Sequence, residues 1–279
     1  MQEAIINVQG AVTFWRTAES EYEALKSALH AAGFGFLTPE VSTPKRSLKL
    51  AIREVCGQSG TTMIRPLEQS CGYTIVDEER HEWSNDYSNE RSFVLDIDSG
   101  TLTMSPQDNP ELMQSVAEAY VRNLSHVPPI ALSNIMVKAV DAMNGVALRD
   151  RGGVYWLPQD SVRKWKQLAA AVEKASVKED ATTIYMMHTQ ADDECLRAVK
   201  DGIIHEMGIE LEKITEAIDS GKLGKRALKS KEKAAVGLRD KLTGYETILG
   251  ETLNTVRQSI EVAETRAAEA ALVAASKND

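Results

Sequence analysis

The sequence predicts an α+β fold: an N-terminal antiparallel-sheet body with helices, a central βαβ unit, and a long antiparallel helical hairpin at the C-terminus. Two observations support this prediction. All 8 prolines lie between Pro39 and Pro158, so the rest of the chain is free of a residue that breaks helix interiors. Short strand-like runs separated by turn residues fill the first half, whereas apolar residues recur at steps of three or four in the last third.

The predicted body covers residues 1–158. Thr43-Pro44, Asn109-Pro110 and Pro128-Pro129 each open a helix, because proline suits the first helical turn. Gly33 and Gly57 end helices that begin near residues 18 and 44. The strand-like runs are residues 4–8, 11–15, 62–65, 73–76, 93–97 and 101–104. A turn at residues 98–100 joins the last two runs, so we expect an antiparallel meander.

Residues 159–190 are predicted to extend this body as a helix followed by a strand. The apolar residues Val162, Trp165, Leu168 and Val172 share one helical face. A strand at residues 154–157 precedes this helix and a strand at residues 182–189 follows it, which is the order of a βαβ unit. Tyr155 and Trp156 point to opposite faces of their strand, so at least one of them belongs to the core.

Residues 191–279 are predicted to form the helical hairpin. Thr189 and Asp192 have the spacing of a capping box at its start. The first helix has about 30 residues and the second about 50, so they span about 45 Å and about 75 Å. The apolar stripe of the second helix therefore exceeds what the first can cover. We expect a second subunit to cover the excess at Leu253, Val256 and Ile260, and a head-to-tail contact of this kind closes into a ring when its rotation permits.

Residues 222–241 hold eight basic residues and two acidic ones, within a chain of net charge −9. The candidate contact residues are Lys222, Lys225, Arg226, Lys229, Lys231 and Lys233. Two interpretations stay open: a solvated hairpin tip, or a surface that contacts nucleic acid or a protein partner. The acidic total disfavours a protein that coats nucleic acid, and the stretch contains no aromatic residue on which bases could stack.

No motif in the sequence predicts an active site, a cofactor or a metal ion. The phosphate-binding loop, the nucleophile elbow and the cysteine–histidine spacings of zinc sites do not occur. If the protein is an enzyme, the acidic cluster is the place to look: Asp77, Glu79, His81, Asp96 and Asp98. His188 with Cys195 is a weaker candidate for a thiol and its base, since such a cysteine is more often a small packing residue.

The three cysteines, Cys56, Cys71 and Cys195, are widely spaced and odd in number, which favours a reducing compartment over a disulfide framework. The first residues lack the pattern of a secretion signal, and no apolar run reaches the roughly 18 residues of a membrane span. We therefore expect a cytoplasmic protein without a membrane partner.

The segment from Leu148 to Pro158, LRDRGGVYWLP, together with the helix after Thr43 and the strands near Met63 and Tyr73, resembles a family of uncharacterised bacterial and phage proteins. The resemblance covers residues 40–215 and carries no known activity. It implies a phage or mobile-element setting. The sequence thus favours a non-enzymatic, self-associating structural protein; a nucleic-acid-binding accessory protein and an enzyme of unrecognised class are the alternatives.

Overall fold

The structure is a computed structural model that describes residues 9–57, 62–68, 70–81, 83–149, 153–190, 192–221, 223–250 and 252–276. The chain forms two compact units. Unit 1 comprises Met1–Arg16, Met136–Ala170 and Thr183–Asp279, and unit 2 comprises Thr17–Ile135 and Ala171–Thr182. Both units are discontinuous in sequence and cut across the predicted boundaries at residues 158 and 190, because the N-terminal strand joins a sheet made by the middle of the chain.

The helices and strands follow one another along the chain with short connections. In order they are β1 (Gln9–Arg16), β2 (Ser20–Glu21), α1 (Tyr22–Ala31), a 3-10 turn (Gly35–Leu37), α2 (Pro44–Cys56), β3 (Thr62–Pro66), β4 (Cys71–Arg80), β5 (Asn85–Leu95), β6 (Leu102–Ser105), α3 (Pro110–Ser125), β7 (His126–Val127), α4 (Pro129–Ala142), β8 (Val146–Ala147), β9 (Val154–Pro158), α5 (Gln159–Lys174), β10 (Thr183–Gln190), α6 (Asp193–Asp219), α7 (Lys225–Leu249) and α8 (Asn254–Ser276). The mixed class and the antiparallel sheets confirm the predicted α+β fold. None of the described helices has the length and apolar character that a bilayer crossing requires.

Unit 2 is built on the predicted meander, whose strand order is β3-β4-β5-β6 with every pair antiparallel. Helices α2 and α3 cover it, and Leu48, Ile52, Phe93 and Val116 are buried in the shared core. The predicted helix start is confirmed, since Thr43 Oγ1 accepts a hydrogen bond from the backbone of residue 46.

Unit 1 contains a four-stranded sheet with the order β10-β1-β9-β8. Strands β9 and β10 both run antiparallel to β1, so they are parallel to each other, as the predicted βαβ unit requires, with β1 between them. Helix α5 covers one face, where Trp165 Nε1 donates a hydrogen bond of 2.9 Å to Thr13 Oγ1. Trp156 lies on the other face and packs against Tyr245 of α7. The prediction that Tyr155 and Trp156 divide between faces is correct, and Trp156 is the buried one.

The predicted hairpin is a bundle of three helices, because the second helix is not continuous. Gly250 adopts a left-handed conformation (φ 67°, ψ 17°) that ends α7. The Glu246 carboxylate then accepts a hydrogen bond of 2.8 Å from the backbone of Leu253 and pairs with Arg257. The chain therefore folds back as α8, and each of the three helices packs on the other two. At the start of α6, the cap is Asp192, whose Oδ1 accepts a hydrogen bond from the backbone N–H of Cys195.

Candidate functional site

The described members of the predicted acidic cluster have separate hydrogen-bond and ion-pair partners. Asp77 accepts a hydrogen bond of 2.7 Å from Thr62, and His81 lies 3.4 Å from Asp86. Asp96 Oδ1 accepts the backbone N–H groups of Asp98 and Ser99. Hydrogen bonds from Ser99 and then Asp98 lower the pKa of Asp96, as expected for a turn residue. The side chain of Glu79 lies outside the described part of the chain, and the described residues contain no cluster suited to a metal ion.

His188 and Cys195 also have separate structural roles. The Nε2 atom of His188 lies 3.2 Å from Lys166 Nζ, on the exposed surface of the unit 1 sheet. The Cys195 side chain is half-buried against the hydrophobic core of unit 1. Cys195 therefore packs as a small apolar residue, which was the simpler of the two interpretations.

The three predicted oligomer contacts turn inward. Leu253 and Ile260 are 7% and 0% exposed, within the core cluster shared by α6, α7 and the sheet, and Val256 packs against the same cluster. The break at Gly250 places them there, because a folded-back α8 is covered by its own chain. The expectation that a second subunit covers Leu253, Val256 and Ile260 is therefore wrong.

The basic stretch divides into two groups with different surroundings. Arg226, Lys229 and Lys233 are exposed and lie at i, i+3 and i+7 on the side of α7 opposite its buried face. These three residues, named the basic row below, have no ion pair with the described residues. Lys231 is half-buried on another side of α7. Lys222 and the side chain of Lys225 lie outside the described part of the chain.

A shallow groove of about 490 Å³ runs between α6 and α8. Glu212 and Glu216, one helical turn apart on α6, line it, and both are exposed. Among the described residues neither carboxylate has an ion pair, and no cation lines the groove. Leu211 and Val262 give it an apolar floor, and Val262 is 58% exposed. This surface is named the acidic groove.

The most elaborate polar arrangement in unit 1 surrounds Lys241. Its Nζ donates hydrogen bonds of 2.9 Å to Asp141 Oδ1 and 2.6 Å to Glu206 Oε1. Its side chain is only 9% exposed and lines a pocket of about 460 Å³, together with Tyr155 and the apolar Leu238. Lys241 thus joins α4, α6 and α7 through one buried ammonium group.

The electrostatics of this pocket favour a structural clamp over a reactive lysine. Burial, the largest influence, disfavours the charge on Lys241, but Glu206 and Asp141 together outweigh it and raise the lysine pKa. Burial, and then Glu206, also raises the pKa of Tyr155. Lys241 stays protonated at neutral pH, so it has no lone pair with which to act as a base or nucleophile.

Sequence reasoning placed Lys241 in the basic stretch and missed this clamp. The available signal was helical spacing: Lys241 follows Leu238 by three residues and precedes Tyr245 by four, on the side of α7 that faces α6. Its two carboxylate partners lie 100 and 35 residues away in sequence, which no local pattern reveals.

Comparison with known proteins finds a matching family. The model of a family of unknown function (DUF6744) matches residues 10–276. The chain belongs to this family. No curated protein and no solved structure matches the chain.

The match extends well beyond the segment on which the sequence resemblance rested. It spans residues of both compact units and includes all three helices of the C-terminal bundle. The basic row, the acidic groove and the Lys241 clamp therefore all lie within the family region. Since the family has no assigned activity, the argument for a function depends on the surfaces described above.

Proposed function

We propose that the protein is a non-enzymatic, self-associating structural protein of a phage or mobile element, acting in the cytoplasm of a bacterial host. Its copies join through the C-terminal helices, with the basic row of one copy seated in the acidic groove of the next. One observation carries this proposal: a single helical bundle presents two exposed surfaces of opposite charge. The phage setting is supported by the resemblance of residues 40–215.

The two surfaces lie on opposite sides of the bundle. Helix α7 turns its buried residues Leu228, Ala235 and Leu242 toward α6 and α8, and the basic row lies about half a helical turn away from them. The acidic groove lies between α6 and α8. A copy therefore cannot seat its own basic row in its own acidic groove. Contact between two copies pairs the cations of one with the carboxylates of the other.

Such a contact is head-to-tail, because it joins two different patches. A head-to-tail contact leaves a free row at one end and a free groove at the other, so it adds further copies until the assembly closes into a ring or grows as a filament. The charges set orientation and association rate, and burial of the exposed Val262 adds apolar contact area.

The mass in solution is the first test. Size-exclusion chromatography with light scattering is expected to give a mass above the 30.7 kDa of one chain at low salt and to approach it as salt is added. Replacing the basic row (R226Q, K229Q, K233Q) is expected to lower this mass toward that of one chain, and so is replacing the groove carboxylates (E212Q, E216Q). A wild-type monomer at micromolar concentration overturns the proposal.

A mixing experiment distinguishes the head-to-tail contact from a symmetric one. The row variant keeps an intact groove and the groove variant keeps an intact row, so an equimolar mixture is expected to form a capped dimer of twice the chain mass. A symmetric contact between two like surfaces predicts no recovery on mixing.

A matched control comes from α5, where Arg163, Lys166 and Lys174 are also exposed cations on a helix. The triple change R163Q, K166Q, K174Q removes the same charge as the row variant. It is expected to leave the mass of the assembly unchanged. Equal loss of assembly in both triple variants assigns the effect to net charge and refutes the specific contact.

Nucleic-acid binding is the second candidate, because three exposed cations on one helix face also suit phosphate oxygens. An accessory protein of this kind is expected to retard an oligonucleotide in a gel with strong salt dependence. Comparing the row variant with the groove variant in both assays separates the two functions. Oligonucleotide binding that is lost only in the row variant supports the nucleic-acid function. Assembly that is lost in either variant supports self-association.

A further inference from the structure

Strands β4 and β5 of unit 2 extend beyond their neighbours. Strand β3 pairs with β4 as far as Asp77, and β6 pairs with β5 only over residues 92–95. Residues 78–80 consequently pair with residues 85–87 as a two-stranded arm. Glu78 orders it, because its Oε1 accepts hydrogen bonds of 3.0 Å from Asn85 and 3.1 Å from Tyr87.

Trp83 lies at the tip of this arm with 91% of its surface exposed. The other tryptophans are different: Trp156 and Trp165 are buried, and Trp15 is half-buried and stacked on Tyr155. An indole ring is the side chain that most often dominates the binding energy of a protein interface. Holding one in water at the end of an ordered arm is costly unless a partner covers it.

The charge of the arm limits what that partner can be. Residues 78–88 contain four carboxylates and one arginine. Such an arm repels phosphate groups of nucleic acids and of anionic membranes. It is attracted to a basic polypeptide surface, and Trp83 requires an apolar recess within that surface.

A surface of this description exists on unit 2 itself. A pocket of about 280 Å³ has apolar walls that include Pro39, Leu50 and Val127. Arg46 and the acidic Glu40 both line the pocket. Arg46 belongs to α2, which carries four cations and one carboxylate. The pocket is at the lower end of the size range of ligand sites, which suits a single large side chain.

We propose that the Trp83 arm of one copy inserts into the α2 pocket of a second copy. This contact deepens the self-association proposed above and rests on it, but it uses surfaces that the basic row and acidic groove do not include. Charge attraction between the arm and α2 guides the approach, and the apolar walls of the pocket then cover the indole ring.

Tryptophan fluorescence tests this contact. Subtracting the spectrum of W83S from that of the wild type isolates the emission of Trp83. We expect this emission to shift to shorter wavelength as the protein concentration rises, and the R46E, L50E double variant to abolish the shift. W83S is expected to weaken the arm contact by about 30-fold or more, the loss typical of a dominant interface residue.

Mixing identifies the partner as a second copy. The R46E, L50E variant keeps Trp83 but has a blocked pocket, and W83S has an intact pocket but no indole at the tip. Adding W83S to the pocket variant is expected to shift the Trp83 emission, whereas adding more pocket variant is not. The arm proposal is wrong if Trp83 emission is independent of concentration, if the pocket variant still shifts by itself, or if anionic vesicles shift it equally at low protein concentration.

The same measurement in the row variant R226Q, K229Q, K233Q keeps the two proposals separate. A concentration-dependent Trp83 shift that survives in this variant supports the arm contact even when assembly through the helices is lost. Loss of the shift in the R46E, L50E variant, with the assembly mass unchanged, supports both contacts. A shift that disappears in the row variant makes Trp83 burial a consequence of the helical contact and overturns the arm proposal.

Discussion

The Lys241 clamp allows a quantitative test of how this protein holds three helices together. Replacing Lys241 with methionine keeps the length and apolar stem of the side chain and removes the ammonium group. It leaves two carboxylates, Asp141 and Glu206, without the cation that they share. The two carboxylates differ in exposure, at 72% for Asp141 and 27% for Glu206, so they contribute unequally.

The expected magnitude follows from these exposures. Water solvates Asp141 in the variant, so loss of that bond costs at most about 0.5 kcal/mol. The half-buried Glu206 loses a charge-assisted hydrogen bond worth about 1.5–3 kcal/mol. Removing the buried ammonium group recovers part of its desolvation cost. We therefore expect Lys241→Met to lower the free energy of unfolding by about 1–2 kcal/mol.

Urea unfolding followed by circular dichroism and tryptophan fluorescence measures this change. The matched control is Lys213→Met on α6, whose ammonium lies 2.6 Å from Glu210 but is 59% exposed. We expect the control to change stability by less than about 0.5 kcal/mol. A Lys241→Met protein as stable as the wild type, or more stable, refutes the reasoning, since the desolvation cost of Lys241 would then outweigh its bonds.

Three further predictions concern unit 1. Folding raises the pKa of Lys241, so the stabilisation from its charge is fully present below the ordinary value of 10.5 and is lost as the pH rises through the higher folded-state pKa. Urea unfolding should therefore give free energies of unfolding for the wild type and Lys241→Met that converge at alkaline pH. A difference that stays constant with pH contradicts this prediction. Gly202→Ala should destabilise the protein, because the new Cβ would lie 2.6 Å from a β8 carbonyl oxygen. Gly208→Ala, on the open side of α6, should stabilise the protein by about 0.5–1 kcal/mol. Equal shifts of the melting temperature for the two variants contradict this geometry. Thr13→Val leaves the buried indole N–H of Trp165 without an acceptor and should cost about 1–3 kcal/mol in the same urea assay; a loss below about 0.5 kcal/mol contradicts it.

The elements that sequence reasoning located correctly carry strong local signals. Thr43-Pro44 and Gly57 mark the two ends of α2 as predicted, since capping and positive φ act on adjacent residues. The face of α5 that bears Trp165 and Leu168 is buried as predicted, since helical periodicity repeats within the element. These features need no knowledge of the rest of the fold.

The features that sequence reasoning placed wrongly depend on distant residues. The residue type alone does not tell what a glycine of the C-terminal helices does: Gly250 ends a helix, Gly202 permits close approach to β8, and Gly208 faces open space. Leu253 and Ile260 had the periodicity of an interface, but periodicity does not tell which surface covers a stripe. Lys241 was counted with the other cations of the basic stretch for the same reason, although its ammonium group is buried.

The sequence by itself determined the α+β class, the helix starts and the proline-free helical third, because those properties arise from dihedral preferences and periodicity within a few residues. Tertiary structure decided that β1 lies between β9 and β10, that α8 folds back over the core, and that one lysine of a basic stretch is buried between two carboxylates. The physical reason is that burial and charge pairing are properties of surfaces brought together by the whole chain, and residues far apart in sequence supply the two sides of each contact.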